Sequence, residues 1–290
     1  MWRPASTCTT QACLPRPGTV PRASTPAVVG RVLAAACVLV VAAVVLPLLP
    51  AARVPAASRR AARALLGALG VRHLATGRLV TRRALLVANH VSWLDVVVLL
   101  AYAPARMLAK REVRSWPLVG RIAGAMGTVF IDRDRPRQLP HTVAAVAGAL
   151  ADGGVVAAFP EGTTWCGRTG GPLRPAVFQA AIGAGATIAP VRIGFALADG
   201  SPTTVAAFIG SDPLVASLRR VITARGLVVT LRAHPPIHPG PDSGRGGTRR
   251  ALAAVVQAVI KPEPTGATAH DSGISPPKQP LGAGRRQSYR

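Results

Sequence analysis

Short apolar runs alternate with segments of helical periodicity between residues 71 and 260, and this alternation limits the fold more than any other feature of the chain. Apolar runs of this length are typical of buried strands, and several of the intervening segments begin at Pro, which suits the first position of a helix. Strands separated by helices predict an α/β domain with a largely parallel sheet flanked by helices. The predicted strands are 84–88, 106–109, 128–131, 155–159, 187–193, 205–209 and 227–233. The predicted helices are 92–102, 117–127, 136–152, 175–184, 213–224 and 247–260.

The composition divides the 290 residues into four parts. Residues 1–27 are rich in Pro, Thr, Ser and Arg and predict a disordered basic leader. Residues 28–70 contain a long apolar run and predict a membrane-associated helical segment ahead of the α/β domain at 71–260. Residues 261–290 return to Pro, Gly, Ser and Arg and predict a disordered tail.

The apolar run covers the 18 residues 32–49 and consists almost entirely of Val, Ala and Leu. A membrane-spanning helix needs about 20 such residues, so the run lies at the lower limit. Arginines flank it on both sides, so the charges do not orient it, and a half-inserted hairpin fits as well as a span. A cleaved signal peptide and a core helix of a soluble protein are the alternatives. We expect the segment to anchor the chain at the cytoplasmic face of the cell membrane.

The chain is strongly basic, with 35 Lys and Arg against 11 Asp and Glu, which gives a formal net charge of +24. The first acidic residue is Asp95, and twelve Arg precede it. Such a balance predicts an anionic partner, either nucleic acid or an anionic membrane surface. Aromatic residues make up only 4% of the chain and lie mostly within apolar runs rather than among basic residues, so nucleic acid is not expected.

The four cysteines, Cys8, Cys13, Cys37 and Cys166, are scattered through the chain and show no CxxC spacing. Structural zinc sites and disulfide frameworks usually show paired or regularly spaced cysteines. The sequence therefore predicts neither a metal site nor a disulfide framework.

The stretch from Asn89 to Asp95 follows a predicted strand and opens a predicted helix. His90 and Asp95 would be about 140° apart on an ideal helix, so they pair only if His90 lies in the loop and turns back onto the first helical turn. A histidine oriented by a carboxylate can remove a proton from a hydroxyl group. The alternative is structural, because Ser92 and Asp95 have the spacing of a helix capping box.

A second stretch, 159–164, places Glu161 directly after another apolar strand. Ligands bind at such strand ends in α/β sheets. Glu161 could accept hydrogen bonds from a polyol or position a basic residue, and the backbone N–H groups around Gly162 and Thr163 could hold an anion. An ordinary loop with a glycine turn is the alternative.

A third stretch, 127–133, ends in Arg133 just beyond a predicted strand. A guanidinium group suits bidentate binding of a phosphate. Since the chain contains many arginines, this feature alone carries little information.

Together and in this order, the three stretches resemble conserved blocks of the glycerophosphate acyltransferase superfamily, and specifically the bacterial 1-acyl-glycerol-3-phosphate acyltransferases. The resemblance runs from about residue 83 to 239, roughly half the chain. It implies an α/β fold with the first block, an HxxxxD motif, at one end of a groove. The matching segments are 90–95, 130–133, 159–163 and 189–191, together with Lys110.

The resemblance also implies roles for these residues. His90 would be the general base on the acceptor hydroxyl, and Asp95 would orient it. Arg133 would meet a phosphate of the acceptor, and Lys110 would add positive charge near that phosphate or near the oxyanion that forms. The residues implied to shape the substrate-binding site are Lys110, Arg133, Glu161, Gly162 and Thr163.

The implied activity is transfer of an acyl chain from an acyl thioester to lysophosphatidic acid, with acyl-CoA or acyl-ACP as co-substrate and no bound cofactor. The implied partners are the lysophospholipid acceptor, the thioester donor and an anionic membrane surface, together with acyl carrier protein if acyl-ACP is the donor. Trp165 and Cys166 lie where the family usually has basic or small polar residues. This departure leaves a second acceptor class open, another lysolipid such as lyso-ornithine lipid.

Overall fold

The computed structural model describes residues 4–240 and 248–261. Its sheet has seven strands in the order β1-β7-β6-β2-β5-β3-β4. Every pairing is parallel except that between β6 and β7. This confirms the predicted α/β class with a largely parallel sheet. The strands are β1 (Arg72–Thr76), β2 (Ala84–Ala88), β3 (Ala105–Lys110), β4 (Val129–Ile131), β5 (Val155–Ala158), β6 (Thr187–Ala196) and β7 (Val228–Ala233).

Helices cover both faces of the sheet. One hydrophobic cluster brings together residues of α3, α4 and α8, and the other brings together residues of α6, α7 and α9. The α-helices are α1 (Thr10–Cys13), α2 (Thr25–Val45), α3 (Val54–Ala68), α4 (Leu94–Tyr102), α5 (Val119–Ala125), α6 (Leu139–Ala151), α7 (Ala176–Ala184), α8 (Leu214–Thr223) and α9 (Thr248–Ile260). Short 3-10 helices lie at Leu46–Leu48, Arg111–Ser115 and Pro136–Gln138.

Strand β2 lies at the centre of the sheet, and all five of its residues are fully buried. Its side chains alternate between the two cores: Leu86 and Ala88 join one cluster, whereas Leu85 and Val87 join the other. Both neighbours of β2, β5 and β6, run parallel to it. The loops that leave the carboxyl ends of β2 and β5 therefore meet at one edge of the sheet, beside β6.

Two local predictions were wrong. Residues 205–209 are mostly buried but form no strand: they begin with a turn and continue without regular structure. Arg220 donates to the carbonyl groups of Val205 and Ala207, which a strand would use for pairing. Strand β1 was missed, because an edge strand that is mostly exposed lacks the apolar run by which the other strands were recognised.

Helix α2 continues into a 3-10 turn, and together they form the one helix in the described part of the chain that is long and apolar enough to cross a membrane. Only 17% of its most apolar window is buried, so it is not a core helix. Arg31 near its start donates to the carbonyl groups of Ile222 and Ala224 at the end of α8, which fixes the helix to the α/β domain. The large apolar side chains that it exposes are Val29, Val32, Leu33, Val40, Val41, Val44, Val45 and Leu48.

The described part of the leader, residues 4–24, runs along the α/β domain. The amide of Ala23 donates to the carbonyl group of Thr223, the hydroxyl of Thr204 donates to that of Cys13, and Cys8 is buried. This path differs from the disordered leader that the composition predicts, because apolar and cysteine side chains among the prolines pack into the domain. The predicted tail lies outside the described residues apart from its first residue.

Candidate active site

A histidine and a carboxylate are paired at the carboxyl end of β2. His90 lies in the loop before α4, and its Nδ1 is 2.9 Å from Oδ2 of Asp95 in the first turn of that helix. The same oxygen accepts the backbone N–H groups of Val91 at 2.6 Å and Ser92 at 2.8 Å. The catalytic and the capping interpretations of this stretch are therefore both compatible with the geometry, because one carboxylate serves the helix start and the imidazole together.

The imidazole of His90 is held in position by contacts on its face and at one nitrogen. The ring of Phe159 stacks on it with centroids 4.0 Å apart and planes inclined by 12°. Since Asp95 engages Nδ1, the nitrogen left for other chemistry is Nε2. His90 lines a cavity of about 270 Å³ and its side chain is 20% exposed. A neutral imidazole held in this way can act as a base toward a hydroxyl group in the cavity.

Glu161 joins the loop after β5 to the loop after β2. Its Oε2 accepts the backbone N–H of His90 at 2.7 Å, and its Oε1 accepts that of Gly171 at 3.1 Å. Burial raises the pKa of the Glu161 carboxyl to about 7, the two N–H donors oppose that rise, and the charge of Asp95 adds to it. Although Glu161 lines the same cavity, both of its oxygens are used to fix the backbone.

Positive charge is concentrated beyond Glu161 at the same sheet edge. Nη1 of Arg133 donates to the carbonyl group of Gly162 at 2.5 Å. Burial is the main cause that lowers the pKa of Arg133, and the nearby charge of Arg174 lowers it further, against the opposing effect of Glu112. A Cβ on Gly162 would lie 3.5 Å from Nε of Arg174. Gly162 therefore lies between two guanidinium groups, an arrangement suited to an anion.

The other predicted binding residues lie along this edge rather than around His90. Lys110 is the last residue of β3 and is exposed, opposite Ile131 of β4. Thr163 is half-buried and follows Gly162. The cavity beside His90 is lined by residues from 89–91, 161–173 and 257–261.

Two parts of the site were missed from the sequence. The Asn89 side chain exchanges two hydrogen bonds with the backbone of Ile193, which ties the His90 loop to β6. Helix α9 adds Gln257, whose amide oxygen accepts the N–H of Leu173 at 3.1 Å. Gln257 is 167 positions from His90 and lies in no recognised motif, so no local signal could have indicated it.

The raised pKa of Glu161 predicts a pH dependence of stability. In the folded protein the carboxyl holds its proton up to about pH 7, whereas an ordinary Glu loses it near pH 4.5. The stabilising contribution is complete below pH 4.5 and is lost as the pH rises toward 7, by about 3 kcal/mol. We expect the Tm of the wild type to fall between pH 5 and pH 7 relative to that of Glu161→Gln, measured by thermal unfolding in detergent.

The exposed acid Asp152 supplies the control for this measurement. Asp152→Asn should keep the pH dependence of the wild type. If Glu161→Gln and the wild type show parallel Tm curves over this range, Glu161 does not titrate there.

The chain is similar to known acyltransferases. A protein-family model described as "Acyltransferase" matches residues 71–194. A lyso-ornithine lipid O-acyltransferase of Rhodobacter capsulatus is 31% identical over 198 residues, which cover 67% of this chain and 70% of that protein. A 1-acyl-sn-glycerol-3-phosphate acyltransferase of Neisseria gonorrhoeae is 41% identical over 109 residues, 38% of this chain and 43% of that protein.

The fold also has a solved counterpart. The 1-acyl-sn-glycerophosphate (LPA) acyltransferase from Thermotoga maritima superposes with a TM-score of 0.58 over 81% of this chain and 95% of that one, at 20% sequence identity. The chain spans only about two fifths of the length of two of the curated relatives that it matches. The Rhodobacter protein, in contrast, is matched over more than two thirds of its length. The chain therefore belongs to the acyltransferase family.

Proposed function

We propose that this protein transfers an acyl chain from an acyl thioester to the free hydroxyl of 1-acyl-glycerol-3-phosphate and so produces phosphatidic acid. The observation that carries the proposal is the His90–Asp95 pair, which leaves Nε2 of the imidazole for the acceptor at a cavity. The family membership supports the reaction class, and relatives named for this activity support the acceptor.

The reaction needs one base and no covalent enzyme intermediate. Nε2 of His90 takes the proton of the acceptor hydroxyl as its oxygen attacks the thioester carbonyl carbon, and a C–O bond forms. The resulting tetrahedral oxyanion collapses, the C–S bond breaks, and the leaving thiolate takes the proton back from the imidazolium. Asp95 stabilises the imidazolium between these two transfers, and Glu161 keeps the His90 backbone in place.

The acceptor phosphate is proposed to bind at the edge that carries Arg133 and Arg174. These groups flank Gly162, and Glu161 connects that loop directly to His90. Lys110 extends the positive charge along the neighbouring strand end. A phosphate bound there would leave the glycerol hydroxyl to reach toward His90, with the acyl chain directed away from the charged edge.

Lyso-ornithine lipid is the second candidate acceptor. Relatives named lyso-ornithine lipid O-acyltransferase match up to 67% of this chain. Relatives named 1-acyl-sn-glycerol-3-phosphate acyltransferase match 37% to 38% of it. The ornithine carboxylate is also an anion that a guanidinium can bind. The two candidates differ in the headgroup and require the same base.

A first test uses an acyl thioester with a labelled acyl chain and measures how much of the label enters lipid. We expect His90→Ala to lower transfer by about 100- to 10,000-fold, since it removes the general base. The matched control is His141→Ala, which removes an exposed histidine on α6. Each protein is supplied with acyl-CoA and acyl-ACP in turn, and with lysophosphatidic acid and lyso-ornithine lipid in turn.

The products separate the alternatives. Phosphatidic acid that depends on His90 supports the proposal as stated. Label that appears only in ornithine lipid, and depends on His90, replaces the first acceptor by the second. Full activity of folded His90→Ala contradicts the mechanism for either acceptor.

A second test concerns the phosphate. Arg133→Ala should raise KM for lysophosphatidic acid by about 10- to 100-fold and leave kcat nearly unchanged, because a charge-assisted hydrogen bond is lost. The control Arg137→Ala removes an exposed arginine four residues further on. The uncharged acceptor 1-acylglycerol should keep its KM in Arg133→Ala; an equal rise for both acceptors would mean that Arg133 only supports the loop.

Membrane attachment is part of the proposal, and we place the protein at the cytoplasmic face of the cell membrane. Helix α2 buries small residues, Ala35, Ala42 and Ala43, against the protein and exposes its large ones. Helix α5 packs against α2. Exposed apolar residues lie just before α5 and at its start, and they include Trp116 and Leu118. One apolar surface is thus left uncovered by the protein, as for a helix that lies in a membrane interface.

A third test measures this attachment. Combined replacement of Leu33, Val40 and Val44 by Ser should abolish or strongly reduce flotation with vesicles that contain anionic lipid, because the apolar area that enters the bilayer is lost. The control replaces Val215 and Val255 by Ser. These are apolar residues of α8 and α9 whose exposure is comparable to that of the three residues on α2. Undiminished flotation of the triple variant would locate the attachment elsewhere in the chain.

A further inference from the structure

Three of the four cysteines converge although they are far apart in the sequence. The Sγ atoms of Cys8, Cys13 and Cys166 all lie within 4.8 Å of one another. Cys8 and Cys166 are buried and Cys13 is half-buried. Two of them belong to the leader, and the third follows the Gly162 loop, so the cluster joins two segments separated by about 150 residues.

The chemistry of this cluster favours a metal ion. Sulfur ligands select soft or borderline cations, above all Zn²⁺ and Cu⁺. Thiolates that share one Zn²⁺ at about 2.3 Å are about 3.8 Å apart, so the three sulfurs need to approach by no more than about 1 Å. A disulfide needs a closer approach, about 2 Å between two sulfurs, and would leave the third thiol unused.

An oxygen atom is available beside the sulfurs. The hydroxyl Oγ1 of Thr169 lies 3.6 Å from Sγ of Cys166 and 3.8 Å from Sγ of Cys8. Three thiolates around a divalent cation carry a net charge of −1. Arg16 and Arg168 line the adjoining cavity between the leader and the domain, where their positive charge would offset it.

We propose that Cys8, Cys13 and Cys166 form a binding site for a single thiophilic cation, with Zn²⁺ as the ion to test and the Thr169 hydroxyl or a water molecule as the fourth ligand. The site stands on the convergence of the three sulfurs and is independent of the function proposed above.

The site connects the leader to the candidate active site. Thr169 lines the cavity that contains His90. Pro4 packs so closely on Gly162 that a Cβ there would lie 2.7 Å from Cγ of the proline. A metal ion held by Cys8, Cys13 and Cys166 therefore fastens the leader next to the edge that carries Arg133.

The first experiment needs only the wild type. The full chain is purified in detergent under reducing conditions, stripped with a chelator and titrated with Zn²⁺ or Co²⁺. We expect one metal ion per chain, a thiolate-to-cobalt charge-transfer band, and metal-dependent protection of the half-buried Cys13 from a maleimide reagent. Cys37 lies on α2 outside the cluster, so Cys37→Ser is the control variant.

The second experiment compares variants. Cys8→Ser, Cys13→Ser and Cys166→Ser should each weaken Zn²⁺ binding at least about tenfold, whereas Cys37→Ser should bind like the wild type. Zn²⁺ should slow hydrogen–deuterium exchange in residues 4–24 of the wild type and of Cys37→Ser, and have no such effect in Cys166→Ser. Slower exchange in residues 4–24 indicates that Zn²⁺ holds the leader against the domain, and this measurement does not depend on acyl transfer.

Three results would overturn the proposal. The first is a reduced, folded wild type that takes up no metal ion. The second is equal loss of binding in Cys37→Ser, which would mean non-specific uptake. The third is a disulfide between two of the three cysteines in protein isolated without reductant, combined with no metal binding after reduction.

Discussion

Parallel pairing of β2 with both β5 and β6 is the constraint on which the site depends. Ala84 is in register with Thr187 of β6, which runs on to Ala196, and with Val155 of β5. Strands β2 and β5 therefore end at nearly the same level, at Ala88 and Ala158. The loops that follow them have to lie together, whatever their own sequences prefer. The hydrogen bond from the His90 amide to Glu161 then fixes these two loops to each other, and Asn89 fixes the first to β6.

Two buried carboxylates stand next to one imidazole, and their surroundings give them different tasks. Oδ2 of Asp95 is shared by the imidazole and two helix-start amides, so its charge is compensated where it faces His90. Glu161 receives only two backbone donors, which do not offset its burial, and its pKa rises to about 7. Glu161, which holds the two loops together, therefore changes its charge near neutral pH.

Local patterns indicated the parts of the site that are themselves local. His90 and Asp95 are five residues apart, so the strand, the loop and the helix start showed how they could pair, with a helix capping box as the alternative. The α/β class followed from the alternation of strands and helices for the same reason. Contacts between distant segments gave no such local signal, because they depend on how those segments pack. They include the two hydrogen bonds that Glu161 accepts from backbone amides, the Gln257 contact from α9, and the cluster of Cys8, Cys13 and Cys166. Arg220, fifteen residues from Val205, donates to carbonyl groups of the segment 205–209, and this contact likewise had no local signal.

The choice of acceptor is expected to depend on residues outside the shared motifs. The family model covers 71–194, which includes His90, Asp95 and Arg133, yet relatives of this chain carry names that refer to two different acceptors. Residues common to both groups cannot by themselves distinguish a phosphate from an ornithine headgroup. Two elements that approach the site lie outside the shared region: the leader, through Pro4 on Gly162, and α9, through Gln257 at the cavity. Cys8 and Cys13 of the leader converge with Cys166 of the domain, so the leader is positioned next to Gly162, where we expect it to affect which headgroup binds.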